Sequence, residues 1–320
     1  MTYVIFSLSS VVVFVALATL LHVQFGLTGI VNFGVVGFWG VGLYALGIFL
    51  VEYELPYVLA LLLATVVTGV VALVLGLVIL DMDGQSVLVA TLAFATIVFH
   101  LVTTEKDLTG GVTGLGTVPI PFDVGRHTES VYLLMLTVAA AALILYAAKL
   151  RRAPYWRLLV AIKDNEPLAR SLGKPTFREK VVVFTITCTA MGLIGALSAS
   201  LYQFLVPRML LPGLTFTVWI ALILGGRSRA LGGFVGVMAT VFVFDFVIET
   251  YAPVPGAEEQ MVPNIKFMLY GLVLVLVIMF RPEGILGRPR PSPRPFREVI
   301  LGPLRRLVPV DGDEPRRAGG

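Results

Sequence analysis

The residues from Lys149 to Lys180 form the only long polar segment between apolar runs in this sequence. The segment carries nine Lys or Arg and three Asp or Glu, whereas Lys106 and Arg126 are the only basic residues before it. Side chains of these types can form ion pairs and hydrogen bonds with another protein. In membrane proteins, basic loops of this kind lie on the cytoplasmic face. We therefore interpret residues 149–180 as a cytoplasmic contact surface.

Local signals inside this segment predict a short helix over Glu166–Leu172. Either Asp164 or Asn165 can cap its N-terminus, and Pro167 falls in the first turn, where its missing N–H is not needed. Gly173 is typical of the position that follows the last residue of a helix. A helix of about two turns is marginal in water, so we expect another element or another protein to pack on it.

The predicted helix has an apolar face. Leu168, Ala169 and Leu172 lie on one side of it because residues three and four apart are neighbours on a helix. An apolar face on the cytoplasmic side favours a docking element for another protein. It is equally compatible with packing on the ends of the chain's own helices, and the spacing does not decide between the two.

The sequence lacks the patterns of several common catalytic and binding sites. A phosphate-binding loop requires Gly-x4-Gly-Lys-Ser/Thr, and the nearest match, Gly173–Pro175, has Leu168 where the first Gly belongs. The histidines His22, His100 and His127 are too far apart for metal-ligand spacing, and no Ser/His/Asp set is suggested. We therefore expect no catalytic residue, no metal site and no cofactor, and no ATP hydrolysis by this chain itself.

The composition is that of a polytopic membrane protein. Hydrophobic residues make up 57% of the chain and charged residues 14%, with a mean hydropathy of +0.92. Soluble globular domains contain about 25% charged residues, so that class is excluded. Of the 24 basic residues, 18 lie in 149–180 or after Phe280, where membrane orientation explains them, so nucleic-acid binding is not indicated.

Apolar runs long enough to cross the membrane, which takes about 20 residues, recur along the chain. The predicted spans are Val4–Val23, Gly29–Leu50, Pro56–Leu80, Gln85–Val102, Val131–Ala148 and Val181–Val206. The run Leu214–Leu224 would rise only about 16 Å and is too short to cross by itself. With Phe234–Ile248 and Ile265–Phe280, we expect an all-α polytopic membrane protein with about eight to ten membrane-spanning helices, some of them broken.

The second predicted span is rich in glycine. Gly34, Gly37 and Gly40 recur at every third position, and Gly42 follows shortly after. Small residues at such a spacing let neighbouring helices approach closely in lipid, where no hydrophobic effect drives helices together. Helix packing therefore explains at least part of this pattern.

The head of the same span also predicts an interruption. Gly26, Gly29 and the polar Asn32 indicate a broken or partly unwound entrance, a feature that lines transport paths in membrane proteins. We therefore name Asn32, Gly34 and Gly37 as candidate residues of a translocation path.

The chain resembles the inner-membrane permeases of ATP-binding-cassette importers for branched-chain amino acids, of the LivM type. The matching stretches are distributed along nearly the whole chain and follow the order of the family. They are Gly26–Gly47, Val89–Pro119, Ala161–Pro175, Leu222–Gly236 and Phe280–Gly287.

The resemblance implies a permease architecture of the type II importers and a multi-subunit assembly in the cytoplasmic membrane. The expected partners are a second, LivH-like permease subunit, two cytoplasmic ATPase subunits, an extracytoplasmic solute-binding protein and the lipid bilayer. It also implies a permease domain over 1–280 with 149–180 as the coupling loop. The tail over 281–320 carries nine Arg, many Pro and no apolar period, so its composition predicts a flexible cytoplasmic segment. The residues implied to couple to the ATPase are Glu166, Leu168, Ala169, Arg170, Leu172 and Gly173.

The solute of the implied importer is a branched-chain amino acid, with urea, a short amide or a sugar as alternatives within the same architecture. Backbone N–H groups near Asn32 or the turn at Thr109, Gly110 and Gly111 can hold a carboxylate, as helix N-termini do, so these three residues join the candidate path. We expect weak solute contact in the permease itself. An ion-coupled carrier working alone is the competing class, although it would be expected to bury a denser polar network.

Overall fold

The computed structural model describes residues 2–119, 128–226 and 231–241, together with eight single residues between 268 and 285. All of these belong to one compact unit that spans 1–287. The described residues are predominantly helical and contain no β-strand, apart from one bridging pair between Leu115 and Leu205. The expected all-α architecture is confirmed over this part of the chain.

Long apolar helices alternate with shorter ones along the described ranges. Five helical segments there are long and apolar enough to cross a membrane, and three further apolar helices are shorter. In chain order the helices are α1 (Thr2–Leu21), α2 (Val35–Val51), α3 (Tyr57–Ile79), α4 (Gly84–Thr104), α5 (Thr128–Leu150), α6 (Pro154–Asp164), α7 (Glu166–Ser171), α8 (Thr176–Tyr202), α9 (Gly213–Gly225) and α10 (Gly232–Val237).

Most predicted spans coincide with observed helices, and two need correction. The span predicted over Gly29–Leu50 is helical only from Val35, and the one predicted to reach Val206 ends at Tyr202. The short run around Leu214–Leu224 is a short helix, as expected. Helix α6 was not predicted. The second half of Phe234–Ile248, most of Ile265–Phe280 and nearly all of 281–320 lie outside the described residues.

Helix α3 shows how the unit meets its surroundings. Its inward side is a row of small residues four apart, Ala60, Ala64, Thr68, Ala72 and Gly76, all buried. Its outward side carries large apolar residues that are exposed, among them Val58, Leu62, Val66, Val70 and Val74. Small residues inside and large apolar residues outside are typical of helices that pack in lipid. The exposed side of α3 is therefore suited to the bilayer.

Glycine also brings α2 and α8 together. A Cβ added at Gly42 would lie 1.9 Å from the carbonyl oxygen of Gly192, and one added at Gly195 would lie 1.9 Å from the carbonyl oxygen of Trp39. No larger residue fits at these positions without separating the helices. The packing role expected of Gly42 is therefore confirmed.

The two ends of the unit carry different features. At one end, α6 and α7 lie against the α3–α4 turn and the residues before α2: Lys163 contacts Gly26, and Arg170 lies 3.9 Å from Asp81. We call this the α7 end. At the other end of α2, Gly47 packs against Leu115 and Leu205. We call that the opposite end.

Candidate functional site

Helix α7 begins at the predicted residue, ends one residue before the predicted Leu172 and has the predicted caps. It spans Glu166–Ser171, and the side-chain oxygen of Asn165 accepts a hydrogen bond from the Leu168 N–H at 3.0 Å. Of the two predicted capping candidates, Asn165 is therefore the one that acts. Gly173 has a φ of +76°, the left-handed conformation expected of the residue that ends the helix.

The predicted apolar face of α7 divides between the protein and its surroundings. Ala169 is buried against the chain itself, with 5% of its surface exposed. Leu168 and Leu172 are 56% and 70% exposed. Ala169 thus anchors the helix, whereas the two leucines present an apolar surface that no described residue covers. Packing on the chain's own elements therefore accounts for Ala169, and docking of another protein at Leu168 and Leu172 stays a prediction.

Charged side chains hold α7 in place from two sides. Glu166 accepts a hydrogen bond from Lys180 of α8 at 2.7 Å, and Arg170 lies 3.5 Å from Glu166 and 3.9 Å from Asp81 of the α3–α4 turn. Partial burial raises the pKa of Glu166, but the hydrogen bonds and positive charges around it outweigh burial and hold the pKa below its ordinary value. Glu166 is therefore ionised at neutral pH.

The chain between α1 and α2 is interrupted, as predicted. Helix α1 continues as a π-helix over His22–Thr28, Gly29 has a φ of +75°, and regular helix resumes only at Val35. We call residues 29–34 the unwound segment. Backbone groups that leave a helix inside a membrane protein must find partners within the protein, because lipid offers none.

Side chains from α4 and α9 supply these partners. The N–H of Phe33 donates to the hydroxyl of Thr91 at 2.9 Å, and the N–H of Val36, in the first turn of α2, donates to the hydroxyl of Thr215 at 3.1 Å. The indole N–H of Trp219 donates to the carbonyl of Asn32 at 3.0 Å. The unwound segment is thus held by residues far away in sequence.

Asn32 lies at the centre of a buried polar cluster. Its side chain is fully buried, donates to Gln24 at 3.0 Å and accepts from the N–H of Gly34 at 2.7 Å. The Gln24 amide in turn donates to Thr187 at 2.6 Å and lies 3.2 Å from the sulfur of Cys188. In this conformation Asn32 stabilises the interruption. Its place on a translocation path stays a prediction.

The other two predicted path residues of this region lie in a helix contact. A Cβ added at Gly34 would lie 2.9 Å from the carbonyl oxygen of Thr91, and one added at Gly37 would lie 2.9 Å from the Cα of Ala95. Both glycines therefore allow close approach between the start of α2 and α4. A solute path along them requires these helices to move apart.

The predicted Thr109–Gly111 turn lies at the opposite end and does not meet Asn32. Thirteen residues of α4 separate Thr91, next to Gly34, from Thr104, which corresponds to about 20 Å. The N–H groups of Gly110 and Gly111 donate to the carbonyls of Lys106 and Glu105 at 3.2 and 3.0 Å. These N–H groups are therefore engaged within the turn, so the expectation that they hold a carboxylate is not met in this conformation.

Comparison with known proteins identifies the family. The family model described as the permease component of branched-chain amino acid transport systems matches residues 1–278. The chain belongs to this permease family. It is a multi-pass membrane protein and a transport subunit rather than an enzyme.

Three curated members of the permease family are similar to the chain over most of its length. The high-affinity branched-chain amino acid permease LivM of Salmonella typhimurium is 27% identical, covering 88% of this chain and 69% of the relative. LivM of Escherichia coli is 26% identical over the same shares. A probable LivM permease of Methanocaldococcus jannaschii is 21% identical, covering 78% of this chain and 72% of the relative.

The residues that hold the unwound segment carry little distinctive signal in the sequence. Thr91, Thr215 and Trp219 lie in apolar helices where a hydroxyl or an indole is ordinary, and their partners are backbone atoms of another helix. One usable signal was the combination of Gly29 and Asn32, because an interruption inside a membrane implies that nearby helices must provide donors and acceptors.

Proposed function

We propose that this permease is the membrane-spanning subunit of an ATP-driven importer for the branched-chain amino acids leucine, isoleucine and valine. In this proposal it pairs with a second permease subunit in the cytoplasmic membrane. Two cytoplasmic ATPase subunits supply the energy, and an extracytoplasmic binding protein delivers the solute. The solute is proposed from the names of the relatives, which are branched-chain amino acid permeases.

The observation that carries the proposal is the exposed apolar surface of α7. Leu168 and Leu172 project from a helix that is capped by Asn165 and tied to α8 through Glu166. A two-turn helix does not persist without such supports, so the chain holds these leucines in a defined position. An exposed apolar pair on a fixed polar support suits a groove on a partner protein.

The distribution of charge supports a cytoplasmic α7 end. The segment 149–180, which contains α6 and α7, carries nine of the 24 basic residues, and nine more follow Phe280. The ATPase, which needs cytoplasmic ATP, would reach the permease at this end. Binding and hydrolysis of ATP would shift α7 and switch the membrane path between outward and inward access.

Two substitutions on α7 test the docking assignment. Leu168→Glu and Leu172→Glu place a charge on the proposed contact, where its desolvation disfavours association. Each variant should insert into the membrane normally and lose co-purification with the ATPase, or keep it while ATP-driven leucine uptake falls to background. Ala161→Glu is the matched control, because Ala161 is exposed on neighbouring α6. Normal uptake by both leucine variants would refute the assignment.

Uptake by the reconstituted assembly tests the solute class. Unlabelled isoleucine and valine should compete with labelled leucine, whereas urea, acetamide and glucose should not. Uptake should require ATP and persist when ion gradients are dissipated. Competition by urea or a sugar alone would reassign the solute, and uptake that follows an ion gradient without ATP would reassign the class of transporter.

A further inference from the structure

Lys163, in the last turn of α6, contacts the end of the π-helix. Its ammonium group donates a hydrogen bond to the carbonyl oxygen of Gly26 at 2.7 Å. In a continuous α-helix that carbonyl would accept from the N–H of Ile30, but this N–H donates to the carbonyl of Gln24 at 3.2 Å. Lys163 therefore supplies a donor to a carbonyl that the interruption has left without its helical partner. A cation is favourable there because helix carbonyl ends carry partial negative charge.

The stem of Lys163 also packs on the first residue of the unwound segment. A Cβ added at Gly29 would lie 3.2 Å from the Cγ of Lys163 and 3.8 Å from its Cβ. The left-handed φ of Gly29 and the lack of a side chain there let the lysine lie directly on the backbone. Leu159, one turn earlier on α6, packs in an apolar cluster with Val23 and Leu27 of the π-helix.

These contacts connect α7 to the buried cluster. Lys163 is separated from α7 only by Asp164 and Asn165, and the Asn165 side chain caps α7. On the other side, Gly26 lies two residues from Gln24, whose side chain bonds to Asn32 in the unwound segment. A continuous series of short contacts therefore runs from the docking helix to the interruption in the membrane.

We propose that Lys163 is a positioning residue that ties α6 and α7 to the start of the unwound segment, so that a displacement of α7 moves this segment with it. The inference rests on the proposed docking of the ATPase at α7. It adds the step by which motion of the docking helix reaches the membrane. Without Lys163, α7 would still bind the ATPase. Its motion would then shift α6 relative to the π-helix and would not move the unwound segment.

Three lysine variants in the reconstituted assembly test this role. Lys163→Met keeps an apolar stem and removes the donor, and ATP-driven leucine uptake should fall about tenfold, as expected when a charged hydrogen bond is lost. The Lys163→Met permease should still co-purify with the ATPase, and the assembly should still hydrolyse ATP. Less solute would therefore be carried for each ATP that is hydrolysed. Lys163→Arg should restore more than half of the uptake. Lys149→Met, which removes an exposed charge at the same end, should transport normally.

The outcomes separate this inference from the proposed function. If Lys163→Met transports normally while Leu168→Glu does not, the docking assignment stands and the link through Lys163 is refuted. If Leu168→Glu and Leu172→Glu both transport normally, the docking assignment fails whatever Lys163→Met does. Loss of ATPase co-purification in Lys163→Met would also refute the link, because the residue would then act in docking.

A reversible cross-link gives a second test. The 3.8 Å between the Lys163 Cβ and a Cβ at Gly29 lies within the range of about 3.5–4.5 Å found in disulfides. The double variant Lys163→Cys with Gly29→Cys should transport poorly when reduced, and oxidation should raise its uptake to that of Gly29→Cys alone. Uptake that falls on oxidation and recovers on reduction would show that α6 must slide over Gly29, which contradicts the proposal.

Discussion

Removal of the buried hydroxyl of Thr215 should destabilise the permease, although nothing in the surrounding sequence indicates a stabilising role. The hydroxyl of Thr215 accepts the N–H of Val36 at 3.1 Å, and Thr215 is fully buried. Thr215→Val keeps the shape of the side chain and leaves this N–H without a partner. A buried donor left unsatisfied costs about 1–3 kcal/mol. Hydrogen bonds between membrane helices average about 0.6 kcal/mol in double-mutant cycles, so we expect the loss of stability in Thr215→Val to lie in the lower half of that range.

The same helix provides a matched control. Thr217 is also buried, but its hydroxyl donates to the carbonyl of Gly213 within α9 at 3.0 Å and satisfies no other helix. Thr217→Val should therefore change the free energy of unfolding by less than about 0.5 kcal/mol. Thr215→Ser, which keeps the hydroxyl, should recover most of the loss seen in Thr215→Val.

Thermal unfolding of the purified permease in detergent measures these differences. For domains of about 150–250 residues, 1 kcal/mol corresponds to about 2–4 °C in Tm, so Thr215→Val should melt at least about 1 °C below Thr217→Val. Thr91→Val should show a similar loss, because its hydroxyl accepts the N–H of Phe33. Equal Tm values for Thr215→Val and Thr217→Val would refute the account of how the unwound segment is held.

Three further outcomes follow from the packing and the charges. Gly42→Ala should destabilise the permease by about 1–3 kcal/mol in thermal unfolding, since its Cβ would overlap the carbonyl of Gly192. Asn165→Ala should cost about 1 kcal/mol of helix stability, seen as faster hydrogen exchange at the Leu168 N–H. The pKa of Glu166 in the folded state is lowered from its ordinary value of 4.5, so its carboxylate stabilises the fold fully above pH 4.5. Glu166→Gln should therefore have a lower Tm than the unchanged protein at neutral pH, and this difference should vanish as the pH falls through the folded pKa.

Local features of the α7 end could be predicted from sequence. The limits of α7, its cap and the left-handed Gly173 follow from residue types within one short stretch, because caps and helix stops act between neighbours. The sequence did not predict which apolar residues of α7 are buried and which are exposed. The burial of Ala169 and the exposure of Leu168 depend on where α8 and the α3–α4 turn lie, and these elements are distant in sequence.

The unwound segment shows the same difference between local features, which the sequence predicts, and contacts with distant residues, which it does not. Gly29 and Asn32 indicated that a helix would break, since both residue types disfavour a continuous helix. The residues that satisfy the break come from α4 and α9, more than 50 positions away, and hydroxyls in apolar helices carry no distinctive pattern. The distance between the two candidate carboxylate sites, Asn32 and the Thr109–Gly111 turn, could not be predicted either, because it depends on the length and direction of α4, which place them at opposite ends of the unit.

Uptake of labelled leucine into proteoliposomes tests most directly the claim that the permease takes its energy from a partner through α7. Vesicles with the complete assembly and internal ATP should accumulate leucine against its gradient. The permease reconstituted alone should accumulate none, and neither should the assembly carrying Leu168→Glu. Uphill accumulation by the permease alone, with no ATPase present, would contradict the claim.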